Sequence, residues 1–140
     1  MIRGVNHITL SVCDLEQTFD FYKNVLGFRP LARRRGKSAY FLADTTWVAL
    51  VLDSSRTSTS PEQYAHIAFT VAADEFEKFA NRIASSGARI WQENSSPGES
   101  LYFLDPSGNK LEIHASDWQS RIKWLRETPS PDVELYESST

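Results

Sequence analysis

The sequence has little of what marks several classes of protein. Its single cysteine, Cys13, rules out an internal disulfide framework and fits a reducing compartment. No apolar run reaches the roughly 20 residues that a transmembrane helix needs, and the chain opens on an alternating segment instead of a signal peptide's apolar block. Fifteen Lys and Arg against eighteen Asp and Glu leave no basic excess for nucleic acid. We therefore expect a cytoplasmic protein that binds neither nucleic acid nor a membrane.

What is present is enough for one hydrophobic core. The chain has 140 residues, of which 41% are hydrophobic and 12% aromatic. A chain of this length buries about 70% of its unfolded surface and needs no disulfide to hold its core together. We expect one domain over residues 1–127. Residues 128–140 contain two prolines and few apolar anchors, so we expect a loosely held tail there.

The first part of the chain predicts a strand followed by a helix. Residues 6–12 alternate between polar and apolar side chains, which is typical of a half-buried strand. Asp14 then stands at an N-cap position, with Gln17 completing a capping-box pattern. Apolar residues recur at helical spacing up to Gly27, where the helix should end. Two further apolar runs and a polar loop follow, at residues 39–42, 47–52 and 53–61.

The same order of elements then begins again. His66 lies 59 residues after His7, and three other landmarks recur at a separation of 60 residues. These landmarks are Asp14 and Asp74, Phe19 and Phe79, and Gly27 and Gly87. By this correspondence Asp74 should open a second helix, which Gly87 closes. Residues of matching type at one spacing indicate an internal duplication. We expect an α+β fold of two modules, about 1–55 and 62–115, each a strand, a helix and further strands.

The second module ends in a hairpin and a helix. Residues 100–104 and 110–114 alternate on either side of an Asp105-Pro106-Ser107-Gly108 turn, which is a good hairpin signal. A capping-box pattern that begins at Ser116 predicts a further helix over about 117–127.

The duplication places one histidine on the first strand of each module, opposite the aliphatic side. Glu112 likewise leaves the aliphatic side of the last strand. If the modules pack with pseudo-two-fold symmetry, His7 approaches His66, and Glu112 completes a set of two histidines and one carboxylate. Such a set suits a divalent Lewis acid, with Mn, Fe, Zn, Co and Ni all compatible. The counterpart of Glu112 in the first module lies near Ala49, which cannot bind a metal.

Each of these residues also has an ordinary structural interpretation. A lone histidine beside a strand is more often a hydrogen-bonded structural residue, and Glu112 alone is more often solvated. His114 shares the face of Glu112 and is a possible substitute ligand. Cys13 fits a small half-buried thiol better than a nucleophile. The basic run 33–37 fits a solvated hairpin tip, and the hydroxyl-rich stretch 94–102 fits either an ordinary loop or one that surrounds an ion.

The motifs resemble a known family. The opening Asn6-His7-Ile8-Thr9-Leu10, the strand Ala65–Phe69 and the ending from Tyr102 to His114 resemble the vicinal oxygen chelate superfamily. Over about residues 2–126, the chain most resembles the fosfomycin-resistance glutathione transferases. The subfamily resemblance rests on Asn6-His7-x-Thr9-Leu10, Trp47, Tyr64-x-His66, Ser100-x-Tyr102-Phe103 and Arg121.

The resemblance implies a fold, a metal site and a reaction. It implies paired βαβββ modules in two cupped mixed sheets, and a homodimer that exchanges modules between its chains. His7 of one chain would join His66 and Glu112 of the other around Mn²⁺. The metal would bind the phosphonate and epoxide oxygens of fosfomycin. A glutathione thiolate would open the ring at the carbon away from the methyl group, which inactivates the antibiotic.

The resemblance also assigns the other site residues by position. Thr9 would lie beside the epoxide oxygen, and Tyr40 near the incoming thiol. Trp47 and Tyr64 would form walls of the pocket. The phosphonate would be held by Ser96, Ser100, Tyr102 and Arg121. A potassium ion would be bound by the loop residues Asn94, Ser96 and Ser100.

Three departures from the family pattern bear on the substrate. Gln92 replaces a lysine that the family uses against the phosphonate, and Pro97 replaces an acidic residue of the potassium loop. The segment 33–38 differs from the family's thiol-binding stretch. Loss of a cation beside a doubly charged phosphonate costs about 1.5–3 kcal/mol of charged hydrogen bonding.

These departures leave two other hypotheses open. The first is a metal enzyme of the same fold that hydrolyses the epoxide, uses another thiol or acts on another small oxyanion. For hydrolysis, Asp44 is the only obvious carboxylate base in the segment 40–47. The second is a drug-binding module without catalysis, against which a complete metal triad argues.

Overall fold

The computed structural model describes residues 1–60, 62–94 and 98–136. Its strands are β1 (His7–Val12), β2 (Arg29–Arg34), β3 (Ser38–Ala43), β4 (Thr46–Leu52), β5 (Ile67–Thr70), β6 (Ile90–Gln92), β7 (Ser100–Leu104) and β8 (Lys110–His114). Its helices are α1 (Leu15–Asp20), α2 (Phe76–Ser85) and α3 (Trp118–Glu127). None of these helices is long and apolar enough to cross a bilayer.

The strands form two four-stranded sheets with the same connectivity. The first sheet has the order β1-β4-β3-β2 and the second has the order β5-β8-β7-β6. In each sheet the first strand runs parallel to the last, and the other pairs are antiparallel. The α+β class and the two mixed sheets are therefore confirmed. The exchange of modules between two chains stays a prediction.

The helix starts show how far local patterns reach. Asp14 caps α1 as predicted, since its Oδ1 accepts a hydrogen bond of 2.9 Å from the Gln17 N–H. The helix then widens into a π-helical turn, Phe21–Val25, before Gly27 reverses the chain at a φ of 75°. This widening has no signature in the apolar spacing, which continues through the turn unchanged.

Two predicted caps need correction. Asp74 does not cap α2, because the chain turns earlier, after Ala72, and Asp74 lies inside a 3₁₀ turn. The following helix has no side-chain cap. For α3 the cap is Asp117 and not Ser116, because the Asp117 carboxylate reaches the Ser120 N–H at 2.8 Å.

The aliphatic sides of both sheets share one hydrophobic core. Buried residues of β3, β4, β7 and β8 join those of α1 and α2 in a single cluster. Phe21, in the turn after α1, contacts Phe103 of β7 with ring centroids 6.2 Å apart. The opposite sides of the sheets therefore face away from this core, and we call them the outer faces. The first outer face carries His7, Thr9, Tyr40, Trp47 and Ala49, and the second carries Ser100, Tyr102, Glu112 and His114.

The predicted Asp105 turn joins the second module to the first. The buried Asp105 carboxylate accepts hydrogen bonds from Tyr22 Oη at 2.8 Å and from the Ser107 N–H at 2.9 Å. Ser107 Oγ lies 2.8 Å from Thr18 Oγ1, and the Arg56 guanidinium donates to the Ser107 carbonyl at 3.1 and 3.2 Å. Burial, together with the charge of Asp105, raises the pKa of the Tyr22 hydroxyl well above its usual value. The turn thus serves as the polar joint between the modules.

Candidate active site

The centre of the second outer face holds a buried carboxylate. Glu112 lies on β8 between Ala68 of β5 and Tyr102 of β7, and only 5% of the residue is exposed. A carboxylate at such depth must have its oxygens hydrogen-bonded, because desolvation of an unpaired charge is costly.

Both oxygens of Glu112 have partners. Oε1 lies 3.0 Å from His66 Nε2. Oε2 lies 2.8 Å from Ser100 Oγ and 3.1 Å from His114 Nδ1, and these two atoms are 2.5 Å from one another. We call these four residues the Glu112 cluster. Within the cluster, His66 contacts Oε1 of Glu112, and Ser100 and His114 contact Oε2.

Three aromatic rings surround His66. Their centroids lie 5.8 Å (Tyr64), 5.5 Å (Trp91) and 5.9 Å (Tyr102) from the imidazole. Tyr64 also donates a hydrogen bond of 3.2 Å from its hydroxyl to Gln92 Oε1. The rings form an apolar wall beside the cluster.

Trp91 is a site residue that sequence reasoning missed. Simple alternation with Gln92 puts the indole on the opposite side of β6. The strand is irregular between Ile90 and Gln92, however, and the Trp91 ring packs 5.2 Å from Tyr102. Its Nε1 donates to the Leu111 carbonyl at 3.0 Å. A β-bulge of this kind leaves no reliable signal in a three-residue strand.

On the first outer face, His7 has no carboxylate partner among the residues that the structure describes. The imidazole stacks on Trp47 with centroids 4.3 Å apart, and its Nδ1 lies 2.7 Å from Asn6 Oδ1. Tyr40 packs edge-on against Trp47 at 5.6 Å. The Trp47 Nε1 atom is buried and has no hydrogen-bond partner among the described residues.

The strand registers show how the two outer faces correspond. Ala49 lies opposite Thr9, just as Glu112 lies opposite Ala68, so Ala49 occupies the predicted position. The same registers make Ser38 equivalent to Ser100, Tyr40 to Tyr102, and Val51 to His114. The modules therefore match in backbone, whereas the first has Ala49 and Val51 where the second has Glu112 and His114.

The donor atoms fit a divalent metal, although one chain does not bring all three expected ligands together. Among the described residues, no group of three His, Cys, Asp or Glu side chains is arranged around a common point. His66 and Glu112 are adjacent, whereas His7 lies on the other outer face. Imidazole nitrogen and carboxylate oxygen are ligands that Mn²⁺ accepts. His66 Nε2 and Glu112 Oε1 lie 3.0 Å apart, so the two atoms would bind one cation together.

Three predicted site residues remain, of which the structure describes Arg121 and Asn94. Arg121 is exposed on α3, and Asn94 Nδ2 donates to the Gly98 carbonyl at 2.9 Å. Ser96, predicted for both the phosphonate and potassium, lies outside the described residues, as does Pro97.

A cavity of about 670 Å³ lies away from both outer faces. It opens between the modules on their aliphatic sides, where Ile8, Phe28 and Phe69 contribute to its wall. Asp44 also lines this cavity, with a φ of 53°. The candidate base for hydrolysis therefore lies at the end of the β3–β4 hairpin, beside a cavity that contains none of the expected metal ligands.

Comparisons with known proteins find a matching family model and similar transferases. A family model described as the Glyoxalase/Bleomycin resistance protein/Dioxygenase superfamily matches residues 4–113. Glutathione transferase FosA from Serratia marcescens is 40% identical over 131 residues, which is 92% of either chain. Metallothiol transferase FosB from Shouchella clausii is 34% identical, over 95% of this chain and 93% of its own.

A solved structure extends the similarity to three dimensions. It is the fosfomycin resistance protein FosX from Listeria monocytogenes, as a mutant complexed with Mn(II) and 1S,2S-dihydroxypropylphosphonic acid. It matches with a TM-score of 0.78 at 30% identity, covering 89% of this chain and 99% of that one.

Proposed function

Because the chain belongs to the glyoxalase/bleomycin resistance protein/dioxygenase superfamily and, within it, to the fosfomycin resistance proteins, we propose that it inactivates fosfomycin by adding glutathione to the epoxide. The observation that carries the proposal is the pairing of His66 with the buried Glu112 in one module and the accessible His7 in the other. The 40% identity to a glutathione transferase supports the choice of thiol.

The proposed metal site needs two chains. His66 and Glu112 of one subunit, with His7 of the partner subunit, would hold Mn²⁺, so the active form is a homodimer. When bound, the metal supplies Lewis-acid stabilisation of the negative charge that develops on the epoxide oxygen. This arrangement explains why the two outer faces point away from the chain's own core, where a second chain can cover each of them.

The chain's own residues would bind and orient the substrate. Tyr102 and Arg121, with Ser96, would hold the phosphonate through charge-assisted hydrogen bonds. Thr9 Oγ1 would donate to the epoxide oxygen. The rings of Trp47, Tyr64 and Trp91 would exclude water, which strengthens each of these contacts.

The reaction is a displacement at carbon. The glutathione sulfur, having lost its proton to solvent, forms a bond to the ring carbon while the carbon–oxygen bond breaks. The oxygen keeps the electron pair and is protonated to a hydroxyl. Tyr40, on the first outer face, would lie along the path of the thiol.

Hydrolysis is the second candidate, and one observation favours it. The FosX complex contains a diol, the compound that water forms when it opens the epoxide of fosfomycin. Against hydrolysis here, the described first outer face carries no Asp or Glu that could take a proton from water. Asp44 lies beside the inter-module cavity instead. We therefore favour a thiol, which at neutral pH needs less help to ionise than water does.

The decisive experiment identifies the product. The Mn²⁺-loaded protein is incubated with fosfomycin, with and without glutathione. The phosphorus-containing products are then separated and identified by mass spectrometry. We expect the glutathione adduct, and no product with Glu112→Gln. A diol formed without thiol would replace the proposal by hydrolysis, and unchanged fosfomycin bound to the protein would indicate a binding module.

A further inference from the structure

Two residues of the second outer face hold Oε2 of Glu112, the oxygen that does not contact His66. Ser100 and His114 are directly opposite in the β7–β8 register, so their side chains are neighbours. Both reach Oε2, at 2.8 Å from Ser100 Oγ and at 3.1 Å from His114 Nδ1. The Glu112 side chain is 7% exposed and that of His114 is 21% exposed. Water therefore has little access to compete for these bonds.

Counting protons fixes the direction of the bonds. A carboxylate oxygen accepts only, so the Ser100 hydroxyl gives its single proton to Oε2. Ser100 Oγ is also 2.5 Å from His114 Nδ1, and with its proton committed it accepts there. Nδ1 must then carry a hydrogen. The opposite tautomer would place a nitrogen lone pair against both Ser100 Oγ and Glu112 Oε2.

We propose that His114 is a positioning residue, which donates from Nδ1 to Ser100 and through it holds Oε2 of Glu112, so that Oε1 stays turned toward His66. The proposal deepens the proposed metal site and rests on it. It gives Ser100 a different task from the phosphonate contact that the resemblance implies. Outer partners of this kind orient a metal-binding carboxylate and account for about 10–100-fold of metal affinity.

The first module supports this role by comparison. At the positions equivalent to Glu112 and His114 it has Ala49 and Val51. His114 therefore occurs in the module that has the Glu112 carboxylate. In the first module, which has Ala49 in place of the carboxylate, Val51 stands in place of the histidine. A histidine needed only for the packing of β8 would not follow the carboxylate in this way.

Calorimetric titration of metal-free protein with Mn²⁺ tests the proposal. His114→Leu, which removes the donor at similar volume, should weaken Mn²⁺ binding about 10–100-fold. His114→Asn should restore most of the affinity, because the Asn Nδ2 lies where the imidazole Nδ1 does. Val51→Ala, at the equivalent position of the first module, should leave the affinity unchanged. Ser100→Ala should add little to the effect of His114→Leu, because both act on the same oxygen.

Each outcome separates this inference from the proposed function. If the unmodified protein binds no Mn²⁺, the metal site itself is wrong. If it binds Mn²⁺ and His114→Leu binds equally well, only the positioning role is wrong. A loss in His114→Leu that His114→Asn does not restore would indicate packing and would also overturn it.

A second measurement needs neither metal nor a variant. Long-range proton–nitrogen NMR correlations on the metal-free protein report which imidazole nitrogen carries hydrogen. We expect hydrogen on Nδ1 of His114. A ring with hydrogen on Nε2 alone would contradict the proposed hydrogen bond from His114 Nδ1 to Ser100. This measurement decides the matter even if His114→Leu fails to fold.

Discussion

The two outer faces share a backbone and differ in chemistry. On the second face a buried carboxylate has three polar partners, whereas on the first an imidazole stacks on an indole and the carboxylate position is alanine. Duplication has preserved the strand order and register, and side chains at equivalent positions have diverged. The comparison teaches that, over the described residues, neither face carries all three proposed metal ligands. The second face supplies the Glu112 carboxylate, and the first supplies the His7 imidazole and the Thr9 hydroxyl.

The two hairpin turns differ in the same manner. Asp44, in the β3–β4 turn, is exposed, whereas Asp105, in the β7–β8 turn, is buried and bonded to the first module. The turn of the first module thus lies exposed at the edge of the inter-module cavity, whereas that of the second joins the modules.

The largest effect should come from the carboxylate that only one face has. Glu112→Gln keeps the shape of the side chain and removes its charge, so we expect Mn²⁺ affinity to fall by more than the roughly 100-fold seen for outer partners. Calorimetry with Mn²⁺ measures it. Ala49→Ser, at the equivalent position, serves as the control and should bind Mn²⁺ normally. Equal binding by Glu112→Gln would show that the ligand set is elsewhere.

The contrast between the turns should appear in stability. Asp105→Asn replaces an acceptor by a donor facing the donors of Tyr22 and Asn109, and should lower the free energy of unfolding by about 1.5–3 kcal/mol. Asp44→Asn, at a positive φ that Asn tolerates, should change it by less than about 0.5 kcal/mol. Urea unfolding of both variants checks the difference. Similar losses in the two would mean that the buried turn is no joint.

Adding a cation to the second face should sharpen its preference for anions. Gln92 lies opposite Tyr102 in the register, so Gln92→Lys brings a charge toward the proposed phosphonate position. We expect fosfomycin to bind about tenfold more tightly, since a charged hydrogen bond is worth about 1.5 kcal/mol or more. Titration of the Mn²⁺-loaded variant with fosfomycin measures this. Weaker binding would place the phosphonate away from β6.

The smallest expected effect is the contribution of Tyr22, in the polar joint, to the pH dependence of stability. The pKa of Tyr22 is raised in the folded protein by burial and by Asp105, so above about pH 10 the unfolded chain ionises while the folded one does not. Stability from this group is full below that pH and falls as the pH rises. Tyr22→Phe should lose about 1 kcal/mol at neutral pH and show a flatter alkaline decline. Urea unfolding of both proteins between about pH 8 and pH 11 measures this difference. An equal decline in the stability of the two proteins would refute the effect.

Much of the fold could be predicted because its signals are local. Alternation over 6–12 and 110–114 marks strands whose two sides meet different surroundings, and Asp14 caps its own helix. The strand β2 gave no such signal, since all its residues are exposed and its sequence does not alternate. The Asp74 prediction was wrong because a cap depends on where the chain turns, and the chain turns at Ala72, two residues earlier.

The site divides in the same way. Sequence alone determined the duplication, the equivalent positions of His7 and His66, and the placing of Glu112 opposite the aliphatic side, because strand periodicity reports which side of a sheet a residue occupies. Only the tertiary structure decided that both sheets turn their aliphatic sides to one core, which directs His7 and Glu112 to separate outer faces. Only it brought Trp91 beside His66 and His114 onto Glu112. Those contacts depend on a bulge and on cross-strand register, and both are set by the packing of whole sheets.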